Sequence, residues 1–176
     1  GKLNEPAWQN AKAYQQFTQV EPLQGNASKF ITQVKVLYNK KYLYIGAFCK
    51  DSLGKKGIRV PNLQRDFSWG SGDLFGVVID AFRDERNSIS FQTNPYAARR
   101  DMQVFDSNIF DTDWDGFWKV RTTRTKEGWV AEMRIPWATI RYPKGENQEW
   151  GINFVRRARR VNEISSWAPY PRAFNP

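Results

Sequence analysis

The chain carries no histidine among its 176 residues, and this limits the chemistry that its side chains can perform. Histidine is the commonest general base in enzymes and a common ligand of transition metals. Serine–histidine and cysteine–histidine nucleophilic sites are therefore excluded, as are histidine–zinc sites. In addition, no glycine-rich phosphate loop follows a predicted strand. The catalytic option that remains is a pair of carboxylates.

Two carboxylates suffice for glycoside hydrolysis, in which one acts as general acid and the other as base or nucleophile. The candidate acids are Asp66, Asp73, Asp80 and Glu132. Several of them alternate with other residues inside predicted strands, where structural roles are expected. A non-catalytic domain is therefore favoured over an enzyme.

A second set of carboxylates has the spacing of a metal site. Asp111, Asp113 and Asp115 alternate with other residues and are followed by Gly116, as in the first half of a calcium loop. Calcium prefers such hard oxygen ligands, but the position expected to supply a bidentate glutamate is Thr122. We therefore expect either a calcium site at the three aspartates or an exposed, aspartate-rich turn.

Aromatic side chains and positive charge are both abundant. The chain has 8 Trp, 7 Tyr and 12 Phe residues, more rings than a core needs, and surplus rings tend to mark recognition surfaces. The net charge of +9 favours anionic partners such as nucleic acid, acidic glycans, lipopolysaccharide or a membrane surface. The basic residues are dispersed, with local concentrations at 99–100, 121–126 and 156–160, where solvated outer faces of strands are the simplest interpretation.

Two ligand classes are disfavoured. Rings mixed with basic residues can bind nucleic acid by stacking and phosphate neutralisation, but no single-strand-binding motif accompanies them here. Haem would need axial ligands, and the only thioethers are Met102 and Met133, with no histidine to join them.

Period-two alternation predicts strands along most of the chain. Val34, Val36 and Tyr38 face one way in the first strand of a hairpin, whose second strand runs from Tyr42 to Lys50 and contains Cys49 as a small core residue. Further strands are predicted at 73–82, 88–93, 102–105, 118–125, 128–135, 149–157 and 163–167, with short helical turns at 5–17 and 136–140. Eight or nine strands with almost no helix predict an all-β fold, an antiparallel β-sandwich of jelly-roll type, as one domain over residues 1–176.

The long loop from Asp51 to Gly72 interrupts this pattern and contains Trp69. Long loops inside a domain are usually either functional or mobile.

The order of short motifs resembles that of family 9 carbohydrate-binding modules over nearly the whole chain. Each motif alone is weak, and the ordered set is more specific. The motifs are Leu3-Asn4-Glu5-Pro6-Ala7-Trp8, the hairpin from Val34 to Asp51, Asp73-Leu74-Phe75-Gly76-Val77-Val78-Ile79-Asp80, Phe91-Gln92-Thr93-Asn94, Gly128-Trp129-Val130-Ala131-Glu132, Ile135-Pro136-Trp137 and Trp150-Gly151-Ile152-Asn153-Phe154.

This resemblance implies a sandwich fold, bound calcium and a slot in which two aromatic rings clamp a sugar. Trp69 lies close to the position of the first ring, about one residue upstream of it, and Trp167 or Tyr170 is the candidate for the second. Gln92 stands where the family has a sugar-binding arginine. The remaining candidates for hydrogen bonds to the sugar hydroxyls are Asp73, Asn94 and Arg172.

The function expected from the resemblance is non-catalytic recognition of an oligo- or polysaccharide. The positive net charge is compatible with an anionic saccharide as well as a neutral one. The parent would be a larger exported protein of glycan degradation or uptake, located in the periplasm, at the outer membrane or outside the cell, and further domains of that chain would be partners. The alternative is a structural or interaction domain of an outer-membrane-associated protein that does not bind sugar.

Overall fold

The structure, a computed structural model, describes residues 1–145 and 147–174 and consists of two antiparallel β-sheets packed face to face. The five-stranded sheet has the strand order β1-β3-β4-β10-β9, and the seven-stranded sheet has the order β2-β12-β11-β5-β6-β7-β8. The predicted antiparallel β-sandwich is therefore confirmed.

The strands are β1 (Ala13–Tyr14), β2 (Thr18–Glu21), β3 (Thr32–Tyr38), β4 (Tyr42–Lys50), β5 (Leu74–Asp80), β6 (Ser88–Thr93), β7 (Arg99–Phe105), β8 (Ile109–Asp111), β9 (Lys119–Thr125), β10 (Gly128–Pro136), β11 (Gly151–Ala158) and β12 (Glu163–Ser166). One short helix, α1, covers Pro6–Asn10. Single 3₁₀ turns occupy Gly54–Lys56, Trp137–Thr139, Arg159–Val161 and Arg172–Phe174.

Alternation along the strands builds the core between the sheets. In β10, Trp129 and Met133 are buried and point inwards, whereas Arg134 lies on the outer face and is exposed. Phe75 of β5 stacks on Phe154 of β11, with 6.3 Å between ring centroids. Each large apolar side chain buried in this way stabilises the fold by roughly 1.5–3 kcal/mol.

Cys49 lies in this core, as its apolar neighbours predict, and it is fully buried. Burial raises the pKa of its thiol to about 11, because the thiolate would lose its hydration. Cys49 is therefore a packing residue and an unreactive thiol.

The N-terminal segment differs from the prediction of helical turns over 5–17. The helix ends at Asn10, and Tyr14 then pairs with Val34 at the edge of the five-stranded sheet. The Tyr14 ring packs edge-on against Trp167, at 5.4 Å. A strand of two residues has no periodicity of its own, so this tertiary contact was not visible in the sequence.

Gly46 allows the same segment to cover part of the outer face of the five-stranded sheet. A Cβ atom at this position would lie 2.7 Å from a side-chain carbon of Leu3 and 3.0 Å from Trp8. Both side chains therefore pack directly on the backbone of β4. Among the described residues, no helix has the length and apolar composition to cross a membrane.

Candidate ligand-binding cleft

A cleft of about 630 Å³ lies on the outer face of the seven-stranded sheet. Its floor consists of outward-facing residues of the central strands, among them Gly76 and Val78 of β5 and Ser90 and Gln92 of β6. The residues between them, such as Phe91, point the other way, into the core.

The cleft is deep in the middle because the floor residues there, such as Gly76 and Ser90, are small. The register places Gly76 between Val155 of β11 and Gln92 of β6. A Cβ atom on Gly76 would lie only 2.9 Å from Cγ of Gln92. The absence of a side chain at Gly76 therefore lets the Gln92 side chain lie across the sheet.

Two aromatic rings stand at one end of the cleft. Trp69 and Tyr170 both line it, and both pack against an apolar cluster of Val20, Val155 and Ile164. Trp69 comes from the long loop before β5, and Tyr170 comes from the segment after β12. The indole nitrogen of Trp69 is buried and has no hydrogen-bond partner among the described residues.

The loop that carries Trp69 is fixed by a buried apolar contact and a buried carboxylate. Phe67 packs with Leu74 and Ala98 beneath Trp69. The carboxylate of Asp73 accepts hydrogen bonds from the backbone N–H groups of Arg59 and Arg159, the latter at 2.9 Å. Burial raises the pKa of the Asp73 carboxyl above its ordinary value, and the two amide donors act in the opposite direction.

Asn153 fixes the segment that carries Tyr170. Its Nδ2 group donates to the carbonyl of Ala168 at 2.9 Å, and its Oδ1 atom accepts from the backbone N–H of the same residue at 2.8 Å. Burial, together with the nearby Glu21, raises the pKa of the Tyr170 phenol to about 12. The phenol is therefore neutral at physiological pH and keeps its O–H proton.

The amide of Gln92 is held in one orientation on the floor, where only 5% of the residue is exposed. Its Nε2 group donates to Oγ of Ser90 at 3.0 Å, and Nη1 of Arg100 donates to its Oε1 atom at 3.0 Å. Burial lowers the pKa of Arg100, an effect that the charge of Asp66 opposes.

Arg86 and Asp80, at the far end of the cleft, are both engaged in contacts within the protein. Arg86 forms an ion pair with Asp106 at 2.8 Å. Asp80 accepts hydrogen bonds from the backbone N–H groups of Phe82 and Glu85, at 3.1 and 2.9 Å. Asp80, Glu85 and Arg86 are the ionisable acidic and basic side chains among the described lining residues, so the cleft has no excess of positive charge.

Three of the seven predicted ligand-binding residues, Trp69, Gln92 and Tyr170, line this cleft. Trp167 does not: its ring packs against Phe154 at 5.9 Å, on the core side of the sheet. Arg172 lies outside the lining, where its Nε atom is 3.3 Å from a carboxylate oxygen of Glu21.

Asp73 and Asn94 also lie outside the lining, because their side chains satisfy backbone groups. Asp73 supports the Trp69 loop as described above. Oδ1 of Asn94 accepts from the N–H groups of Tyr96 and Ala98 at 2.9 and 3.2 Å, closing the turn between β6 and β7. Asn94 is 2% exposed.

The three predicted calcium ligands do not converge. Asp111 accepts a hydrogen bond from the backbone N–H of Asp113 at 3.1 Å, and Asp115 forms an ion pair with Arg65. The same guanidinium group pairs with the buried Asp101 at 2.7 Å. No group of three or more acidic, cysteine or histidine side chains in the described ranges could hold a metal ion.

The sequence reasoning did not select Ser90 or Asn153 as site residues. A signal existed for Asn153, because the alternation in β11 places it opposite the core-facing Phe154, on the face that forms the cleft. Its bonds to Ala168 depend on how a later segment folds back and carry no sequence signal.

The comparisons with known proteins agree with this architecture. Residues 1–163 match the sequence model of a family described as carbohydrate family 9 binding domain-like. Among curated proteins, no sequence matches this chain significantly.

Solved structures with a similar fold include the following two. A candidate carbohydrate-binding protein from Bacteroides uniformis ATCC 8492 superposes with a TM-score of 0.74 at 11% identity, over 94% of this chain and 82% of that one. A family 9 carbohydrate-binding module from Caldicellulosiruptor kristjanssonii in complex with cellotriose gives 0.61 at 14% identity, over 94% and 75%.

Replacing Asn153 with alanine should destabilise the fold by about 1–3 kcal/mol, because the N–H and C=O groups of Ala168 lose their partner. Urea denaturation checks this. Asn153→Asp keeps the acceptor for Ala168 N–H but sets a carboxylate oxygen against the Ala168 carbonyl, so it should also be less stable than the wild type. Equal stability of all three proteins would contradict the role assigned to Asn153.

Proposed function

Because the chain belongs to the carbohydrate family 9 binding domain-like family, we propose that its cleft binds a saccharide and catalyses no reaction. The observation that carries this proposal is the convergence of Trp69, Gln92 and Tyr170 on one cleft, although they come from three distant parts of the chain.

The chemistry of the lining suits a sugar ring. A pyranose presents C–H groups on its faces and hydroxyl groups around its edge, so flat aromatic rings cover the faces and polar groups bind the edge. In this proposal Trp69 and Tyr170 contact the faces. The phenol of Tyr170 and the amide of Gln92 hydrogen-bond the hydroxyls.

The size and charge of the cleft favour a neutral ligand. Its volume of about 630 Å³ falls within the range of roughly 300–1,000 Å³ that is usual for small-molecule sites. Arg86, the basic residue of the described lining, already pairs with Asp106, so a carboxylate or sulfate on the sugar would find no unpaired cation among the lining residues described. We therefore propose a neutral oligosaccharide as the ligand, and a parent protein that is exported and acts in glycan degradation or uptake.

One observation favours a second candidate function, a scaffold domain that binds no sugar. The amides of Gln92 and Asn153 are both engaged in hydrogen bonds within the protein. Sugar binding would have to share or replace these bonds. In this alternative, the domain serves only as a structural or interaction module of its parent chain.

A glycan array followed by calorimetry with the neutral oligosaccharides that bind distinguishes the two. Trp69→Ala should weaken binding about tenfold or more, because a stacked ring and its buried area contribute on the order of 1–3 kcal/mol. Phe117→Ala, which removes an exposed ring outside the cleft, should leave the affinity unchanged.

Thermal unfolding of both variants is needed alongside, since Trp69 also packs on buried residues. Unchanged affinity of a folded Trp69→Ala protein would refute the proposed role of the ring. If the wild type binds no glycan on the array, the scaffold function is favoured.

Calcium binding at Asp111, Asp113 and Asp115 stays a separate prediction. If Asp111, Asp113 and Asp115 hold calcium, the turn must rearrange and Asp115 must leave Arg65. Calorimetric titration with calcium should then give heat and a higher melting temperature, and both should vanish in Asp113→Asn. If calcium gives no heat and does not change the melting temperature, the predicted calcium site is refuted.

A further inference from the structure

A second concave surface lies on the opposite side of the molecule, on the outer face of the five-stranded sheet. It is a hollow of about 270 Å³ lined by Tyr44, Lys119, Val120, Arg121, Glu132 and Arg134. We call it the basic hollow. It shares no residue with the cleft.

The basic hollow contains a cross-strand pair of like charges. Arg134 of β10 and Lys119 of β9 are direct partners in the antiparallel register, and both are exposed on the outer face. Like charges directly opposite one another destabilise a sheet. Arg121, two residues further along β9, adds a third cation on the same face.

The one carboxylate of the hollow is directed elsewhere. Glu132 is the register partner of Arg121, yet its Oε1 atom accepts a hydrogen bond from the indole nitrogen of Trp8 at 3.2 Å. In the part of the chain that the structure describes, Lys119, Arg121 and Arg134 form no ion pair. The three cations are thus left without an acidic partner.

The walls of the hollow hold Arg134 and leave space for a ligand. The guanidinium carbon of Arg134 lies 4.9 Å from the centre of the Tyr42 ring, a cation–π contact that holds the arginine at the edge of the hollow. Tyr44, the register partner of Arg134, forms the neighbouring wall. A guanidinium group recognises the paired oxygens of a carboxylate, sulfate or phosphate group, and lysine adds a point charge.

Lys119 and Arg134 repel one another across the strands, the Glu132 carboxylate binds Trp8, and a hollow lies beside them. We infer that the basic hollow is an anion-binding site. Its ligand is an acidic saccharide, that is, a sugar residue bearing a carboxylate or sulfate group. Tyr44 offers an aromatic wall to such a sugar, and a small concave hollow suits a single anionic group better than a flat bilayer. The inference does not depend on the cleft, because the two sites lie on opposite sheets.

The test measures binding of heparin, a sulfated polysaccharide, and of polygalacturonate, a carboxylated one, at low and moderate salt. The double variant Lys119→Gln/Arg134→Gln should bind at least one of the two polysaccharides about tenfold more weakly than the wild type. Its affinity should also depend less steeply on salt concentration, because about two contacts that release counterions are lost. The charge-matched control is Lys55→Gln combined with Lys56→Gln, two exposed lysines of the Gly54–Lys56 turn. This control should bind as the wild type does.

Two further measurements keep the result interpretable. The melting temperature of the Lys119/Arg134 variant should equal or exceed that of the wild type, because the repulsion across the strands is removed. Any affinity for a neutral oligosaccharide in the cleft should stay unchanged, so that failure of this site and failure of the cleft give different results.

Three outcomes would overturn the inference. Equal loss in the control variant would mean that net charge alone attracts the polysaccharide. Competition between heparin and a neutral oligosaccharide would place both in the cleft. Binding to phosphatidylglycerol vesicles without binding to either acidic polysaccharide would identify a membrane surface as the partner instead.

Discussion

The packing of Phe67 and Trp69 on Leu74 is the contact on which the proposed site depends. It covers one end of the outer face of the seven-stranded sheet and leaves the rest of that face without a third layer. The exposed part has a low floor because Gly76 carries no side chain and Ser90 a short one. The cleft is therefore the space beside a loop that the core itself holds in place.

Most of the fold could be predicted because its strands are long enough to alternate. The strands β3, β4 and β6 lie where the sequence predicted them, and their first and last residues agree closely with the predicted bounds. The strands β1, β2 and β8 were not predicted. They have only two to four residues, and each pairs with a neighbouring strand at a sheet edge. Tyr38, predicted to lie on the same side of β3 as Val34, is 80% exposed, whereas Val34 is fully buried.

The site was predicted in part. Residue type and the family resemblance selected Trp69 and Tyr170, which are brought together by packing on Val155. The same reasoning selected Asp73 and Asn94, whose polar groups instead satisfy buried backbone N–H groups. A sequence shows that a side chain can hydrogen-bond, but the partner depends on how distant segments fold back.

Chemical-shift mapping tests the central claim, that the outer face of the seven-stranded sheet is the saccharide site, most directly. In a titration with a neutral oligosaccharide that binds, the indole N–H of Trp69 and the side-chain amide of Gln92 should shift most, while the backbone amides of Lys119 and Arg134 on the opposite sheet should stay still. Shifts confined to the five-stranded sheet, or spread evenly over the molecule, would contradict this account.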